Sequence, residues 1–358
     1  MIEIPGDMLE GGGQIIRTSI SLAALTGEAV HITKIRHKRP NPGLQPQHVT
    51  ATKALASFCD AQTEGLTQGS TELYFRPREH KSGKFRFDIG TAGSISLVLQ
   101  ALMPALAFAP DYVELEITGG TDVKWSPPID YVRFIILPTL RLMGYETNLT
   151  VHCRGHYPKG GGRVTFLTTP PKRLRSITLT KRDQLISIEG VSHCVRLPSH
   201  VAQRQSDTAT QILTKAGFNA LKVSLETYPR DQDPHIGSGS GITLSAKHAN
   251  GSIIGADSLG ERGRPAEEVG EEAARELIEE LQSQASFDRH MGDILIPYMA
   301  VAEGLSEISV SQITMHTLTN IQIAEKLLNV KFHVSGSVGQ PGMISVNGRN
   351  LNLTEKRK

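Results

Sequence analysis

The chain has 358 residues, 39% hydrophobic and 5% aromatic, with 38 basic side chains against 36 acidic. At roughly 100–200 residues per domain, two domains are expected. A net charge of +2 excludes a global basic field, so any contact with nucleic acid is confined to a local patch. Cys59, Cys153 and Cys194 are odd in number and far apart. They offer neither a metal-ligand spacing nor a disulfide framework, which fits a reducing cytosol. The opening Met1–Gln14 lacks the basic and apolar regions of a signal peptide. No apolar run reaches the ~20 residues that span a bilayer. A cytoplasmic protein with no membrane partner is expected, and the charged tail Thr354–Lys358 should fray.

In chain order, Ile15–Leu25 has apolar residues at helical spacing, and Gly27 follows as a C-terminal cap. Ala29–Ile35 is predicted as a strand, Val49–Phe58 as a helix and Glu72–Phe75 as a strand. The order helix, strand, loop, helix, strand then returns. Ser94–Phe108 is a helix, Tyr112–Thr118 a strand, and Asp130–Met143 a helix ended by Gly144. Thr147–His152 and Val164–Thr168 are strands paired across the turn at 157–162. Between them and a third copy lies a different stretch. It has strands at Leu185–Gly190, Leu221–Glu226 and Gly241–Ala246, a helix opened by Pro198-Ser199, and a strongly periodic helix over Pro265–Leu281. The third copy comprises a helix at Asp293–Ala302, a strand at Glu307–Ile313, a helix at Thr317–Leu328 and a strand at Val330–Val334. This predicts a large unit over 1–176 and 283–340, a smaller α/β insertion over 177–282, and a C-terminal strand and tail over 341–358.

The repeat puts three loops in equivalent places, at 36–48, 119–128 and 314–320. A second set precedes each first helix, at 10–14, 90–94 and 290–293. If the units share an axis, these loops converge. Gly11-Gly12-Gly13 and Gly90, Gly93 let the backbone come close to a ligand, and the following helix N-termini then face an anion. Glycine clusters also make plain turns, but Arg17, one turn into the first helix, tips the balance toward phosphate. Arg36, Lys38 and Arg39 form a basic patch that is either a solvated face or a phosphate clamp, with Gln47 and His48 at its end. His316 lies between a strand and a helix, where the helix dipole disfavours imidazolium and leaves a nucleophilic lone pair. Glu10 and Asp293 are candidate magnesium ligands or proton handlers, or simply acids at helix N-termini. Pro127 and Pro128 wall a base pocket or end a loop.

At these residues the sequence resembles the RNA 3′-terminal phosphate cyclase family. The likeness runs through Glu10-Gly11-Gly12-Gly13-Gln14 with Ile16-Arg17, Ile35–His48, Gly90–Gln100, Gly119-Gly120-Thr121-Asp122, Tyr157–Gly162 and His316-Thr317-Leu318-Thr319-Asn320. It implies an α/β (α+β) fold, a large domain of three repeated two-helix, four-strand units with an inserted thioredoxin-like domain. It implies ATP as co-substrate, Mg2+ or Mn2+, and an RNA partner with a 3′-phosphate end; a homodimer is admitted. By resemblance His316 is the nucleophile, adenylylated in the first step. Glu10 lies near the metal and triphosphate. Arg17, Arg36, Arg39, Gln47, His48 and Gln100 line the phosphate site, Pro127 lies against adenine, and Asp293 is a polar active-site position. His290 and Ile294 depart from the bacterial pattern near the adenine pocket. Competing readings are a cyclase-like scaffold or nuclease of ribosomal RNA processing, an enolpyruvyl transferase on a similar fold, and a passive RNA-binding module. The intact Thr-Met-His-Thr motif opposes the first, and scarce aromatics with near-neutral charge oppose the last.

Overall fold

The computed structural model describes residues 1–351, so the tail at Thr354–Lys358 lies outside the described residues. The first unit comprises β1 (Ile2–Pro5), α1 (Gly13–Thr26), β2 (Val30–Thr33), α2 (Pro46–Phe58), β3 (Gln62–Glu64) and β4 (Leu73–Arg76). The second begins with β5 (Gly83–Asp88), α3 (Ile95–Leu106) and β6 (Val113–Gly119). Its second helix runs from α4 (Ile129–Tyr131) through a π-helical stretch (Val132–Ile136) into α5 (Leu137–Leu142), and β7 (Thr147–Cys153) and β8 (Gly162–Thr168) follow. After β9 (Thr178–Leu179) comes the insertion: β10 (Leu185–Val195), α6 (His200–Lys215), β11 (Leu221–Thr227), β12 (Gly239–His248), β13 (Ile253–Leu259) and α7 (Ala266–Gln282). The chain then returns through α8 (Met291–Ile294), α9 (Ile296–Val301), β14 (Leu305–Val310), α10 (Met315–Leu328), β15 (Phe332–Ser335) and β16 (Gly342–Asn347).

The repetition is clearest in the sheets. Their orders are β1-β2-β4-β3, β5-β6-β8-β7 and β9-β14-β16-β15. In each, the first two strands run parallel and the remaining neighbours antiparallel. The insertion forms its own sheet, β11-β10-β12-β13, backed by α6 and α7, which pack on each other. The protein is therefore a mixed α/β fold of three like units plus an inserted one.

Burial explains the layering. On β6, Val113, Leu115 and Ile117 are buried while Glu114 and Glu116 are partly exposed, the alternation of a half-covered strand. On α1, Ile15 through Leu25 are buried apart from the partly exposed Arg17 just upstream of Thr18. A helix apolar on every side belongs inside, and α1 packs against α2, α3 and α10. One buried cluster joins the three units, and a second, with Ile188, Leu244 and Leu277, fills the insertion.

Several expectations need correction. The leading strand of each unit has no counterpart in the sequence reading, because these strands are short and, in β5, alternate Lys84, Arg86 and Asp88 outward with Phe85 and Phe87 half-buried. The helix expected over Asp293–Ala302 is two short ones. Pro297 cannot donate to the ladder, and the break falls at Leu295. Pro138, in the first turn of α5, likewise follows directly on the π-helical stretch. Thr178–Leu179 and Gly342–Asn347 both join the third sheet, in which Gly342–Asn347 is an inner strand.

Leu277, fully buried on α7, should lower stability by about 2–5 kcal/mol when changed to Ala. Urea unfolding of the intact chain measures this, and an unchanged transition would contradict the assigned core.

Candidate active site

Loops from the first and second units, the α10 N-terminus and the insertion border one cleft of ≈ 1420 Å³. Glu10, Arg17, Arg36, Arg39, Gln47, His48 and His316 all face it. Residues of the second unit (Ala92, Ser94, Asp122–Trp125) and of the insertion (Arg204, Leu259–Ala266) complete its wall.

His316 is placed by capping. Thr314 is the N-cap of α10, and its hydroxyl accepts from the Thr317 N–H, so the imidazole projects from the first turn. The ring is 45% exposed, and its Nδ1 lies 2.5 Å from Glu10 Oε2. The other oxygen, Oε1, accepts from Arg39 Nη2 at 2.5 Å. Burial works against the Glu10 charge, but His316 and Arg39 outweigh it and hold the carboxyl below its ordinary value. One carboxylate thus joins a loop residue of the first unit to a helix residue of the third.

Glu10 leads into Gly11, at φ 64, and then into Gly12, the N-cap of α1, which makes no side-chain cap. The first N–H groups of α1 are left for an anion. Gly13 has a second requirement: a Cβ there would sit 2.2 Å from His48 Nε2. His48 Nδ1 accepts from the Gln45 N–H, so in the neutral ring Nε2 carries the proton. Burial, then Arg17 and Arg36, push the His48 pKa down to about 3, and the ring is a neutral donor at the cleft. Burial likewise lowers Arg17 to about 10 against the pull of Asp293 and Glu10, which leaves it cationic at neutral pH. Arg36 sits at φ 51 with Nη1 on the carbonyls of Asn41 and Gly43.

Asp293 and Gln100 do not border this cleft. They line a neighbouring cavity of ≈ 30 Å³ together with Gln14 and Arg17. Gln14 Nε2 donates to Asp293 Oδ2 at 3.2 Å, Asn320 Nδ2 donates to the Asp293 carbonyl at 2.8 Å, and Thr18 donates to Asn320 at 2.6 Å. Asp293 therefore ties α1, α8 and α10 together behind the site. Burial raises its pKa, against His290, His316 and Gln14. Pro127 and His290 also stand away from the cleft lining. Pro127 offers its carbonyl to Ser96 Oγ at 2.6 Å, and His290 meets Tyr131 edge-on at 6.2 Å.

Sequence reasoning missed the seam between the second unit and the insertion. Arg154, 2% exposed, donates to Asp122 at 3.3 Å, to Asp130 at 2.6 Å, and through two nitrogens to Glu226 of β11 at 2.8 and 2.7 Å. Burial opposes the Glu226 charge, but Arg154 outweighs it and holds the carboxyl at about 2. Lys124 pairs with Glu261 across the same seam at 2.6 Å. Only a lone arginine between β7 and a glycine turn marked this in the sequence. Changing Arg154 to Ala would strand buried carboxylates, at a cost of about 3–5 kcal/mol. Calorimetry should show a lowered melting midpoint, and an unchanged one would mean the seam is not what fixes the insertion.

The repeated α/β architecture thus sets an uncapped helix N-terminus beside arginines and a half-exposed histidine in one cleft, an arrangement complementary in charge to an anion. The family model described as RNA 3′-terminal phosphate cyclase matches residues 8–334. Proteins of that name are similar throughout. The one from Ignicoccus hospitalis is 49% identical, covering 97% of this chain and 99% of its own. That from Staphylothermus marinus is 50% identical, covering 98% and 99%. That from Caldivirga maquilingensis is 52% identical, covering 92% and 93%. The chain belongs to the RNA 3′-terminal phosphate cyclase family, and it is an enzyme of that kind. A solved enolpyruvyl transferase from Streptomyces tendae aligns at TM-score 0.38 and 11% identity over 99% of this chain and 50% of its own, a likeness too distant to bear on fold or function. Among the described residues no helix is long and apolar enough to cross a membrane.

Proposed function

We propose that the enzyme closes an RNA 3′-phosphate onto the neighbouring 2′-hydroxyl, using ATP, through a covalent histidine–AMP. The observation that carries this reading is the half-exposed His316 ring in the cleft with Nδ1 against Glu10. With Nδ1 turned to a carboxylate, the lone pair belongs to Nε2. That nitrogen attacks the α-phosphorus of ATP, a P–N bond forms, and the bond to pyrophosphate breaks. A 3′-phosphate oxygen of RNA then displaces the histidine, giving an RNA-bound adenylate. Finally the 2′-oxygen attacks the 3′-phosphorus, loses its proton to solvent and expels AMP. Adenylylation supplies the leaving group that a phosphate monoester lacks, and the adjacent 2′-hydroxyl gains from intramolecular attack.

Arg17, Arg36, Arg39, His48 and the α1 N-terminus suit the triphosphate and RNA phosphate as charge-complementary donors. Gln47 borders the same space, whereas Asp293 acts from behind by tying α1, α8 and α10 together, with Gln100 lining the small cavity beside it. Mg2+ or Mn2+ fits the donor set, because the Glu10 carboxylate borders the cleft and such ions take one or two carboxylates plus substrate phosphates. When bound, the ion would offset triphosphate charge. Three free cysteines suit a reducing cytoplasm.

Incubation with magnesium and ATP labelled at the α-phosphate should yield a protein label that is labile to acid and stable to alkali. His316→Ala should reduce it to background with the fold retained, and Arg39→Ala should slow its formation roughly 10²-fold. A normally labelled His316→Ala protein would refute the assignment.

A further inference from the structure

The seam beside the cleft holds a cluster that the cyclisation chemistry does not use. Asp122, His156 and His193 each present a ligand atom, and these atoms all lie within 4.8 Å of one another. Asp122 follows β6, His156 lies in the turn between β7 and β8, and His193 is on β10 of the insertion. All three are buried, at 2%, 6% and 2% exposure. Asp122 and His156 also border the cleft that contains His316.

Two independent observations point to a ligand. First, His156 Nε2 and both ring nitrogens of His193 are buried without a hydrogen-bond partner among the described residues. Native interiors rarely leave such groups unmatched. The rings stand 5.2 Å apart, centre to centre, and the Asp122 main chain holds the His156 ring by a hydrogen bond, as outer partners commonly hold a metal-bound imidazole. Second, the seam is rich in carboxylates. Asp122, Asp130 and Glu226 converge on the guanidinium of Arg154, and Arg133 reaches Asp130 at 3.9 Å, so three carboxylates face two cations. Buried negative charge is ordinarily matched by a cation.

We propose that Asp122, His156 and His193 bind one divalent transition-metal ion, Zn2+ by its ligand chemistry, which pins the inserted unit to the second repeat. Two imidazoles and a carboxylate suit zinc and its neighbours, whereas magnesium and calcium take oxygen donors. With metal–ligand bonds of about 2.0–2.2 Å, ligand atoms in a tetrahedral site stand roughly 3.4 Å apart. Small side-chain rotations bring the three into range, and water can take the fourth position. The ion joins residues from both sides of the seam, so it fixes the cleft wall while remaining separate from the Mg2+ or Mn2+ expected at Glu10.

The test uses the full chain, stripped with a chelator, loaded with Co2+ or Zn2+ and desalted. One ion per chain should remain, with the visible absorption of nitrogen-ligated Co2+ and a melting midpoint above that of the stripped protein. His193→Ala and His156→Ala should lose both the ion and the absorption, while Glu10→Gln keeps them. If those variants fail to fold, X-ray absorption of the wild-type Zn2+ form decides, and imidazole ligation supports the site. Loss of all metal on desalting, absence of imidazole ligation, or full retention by His193→Ala would overturn the proposal and leave the cluster to water.

Discussion

The account depends on one carboxylate that serves two partners. Glu10 receives Arg39 on one oxygen and His316 on the other, and these come from the first and third repeats. The carboxylate is held low in pKa because the two partners outweigh its burial. Everything else in the fold that matters to the site keeps these three groups within reach. The buried α1 sets the loop that carries Glu10, its contact with α10 sets His316, and the Arg36–His48 loop brings Arg39 back over both. Moving α1 or α10 by an ångström would separate groups now at hydrogen-bond distance, which is why polar ties through Asp293, Asn320 and Thr18 matter behind the cleft.

A charge-neutral chain can still handle a polyanion if its cations are concentrated. Net charge is +2, yet Arg17, Arg36, Arg39 and Arg204 share one cleft with a bare helix N-terminus. The partial positive charge of that terminus and the arginine forks act together over a short range, with no need for a basic exterior. The neutral His48, locked as a donor by the Gln45 N–H, adds direction without adding charge.

Much of this was legible in the sequence because repetition and glycine leave strong marks. The long helices α1, α2, α3 and α10 follow from apolar spacing, and the glycine run before Arg17 announces a tight approach, which the space between Gly13 and His48 makes specific. The leading strands were not legible. β1 and β9 span 4 and 2 residues, and β5 turns only half-buried Phe85 and Phe87 inward, so none carries a long apolar alternation. Pro127 and His290 lie in the two sets of repeated loops; Pro127 offers its carbonyl to Ser96, and His290 meets Tyr131 edge-on. The seam of Arg154, Asp122, Asp130 and Glu226 spans over a hundred residues of chain, and no local pattern encodes such a meeting.

The most direct measurement is phosphorus–nitrogen coupling by NMR on trapped, adenylylated enzyme prepared with isotope-labelled histidine. With Nδ1 held toward Glu10, the account predicts phosphorus bonded to Nε2 of His316. Phosphorus on Nδ1, or on another side chain, would contradict it.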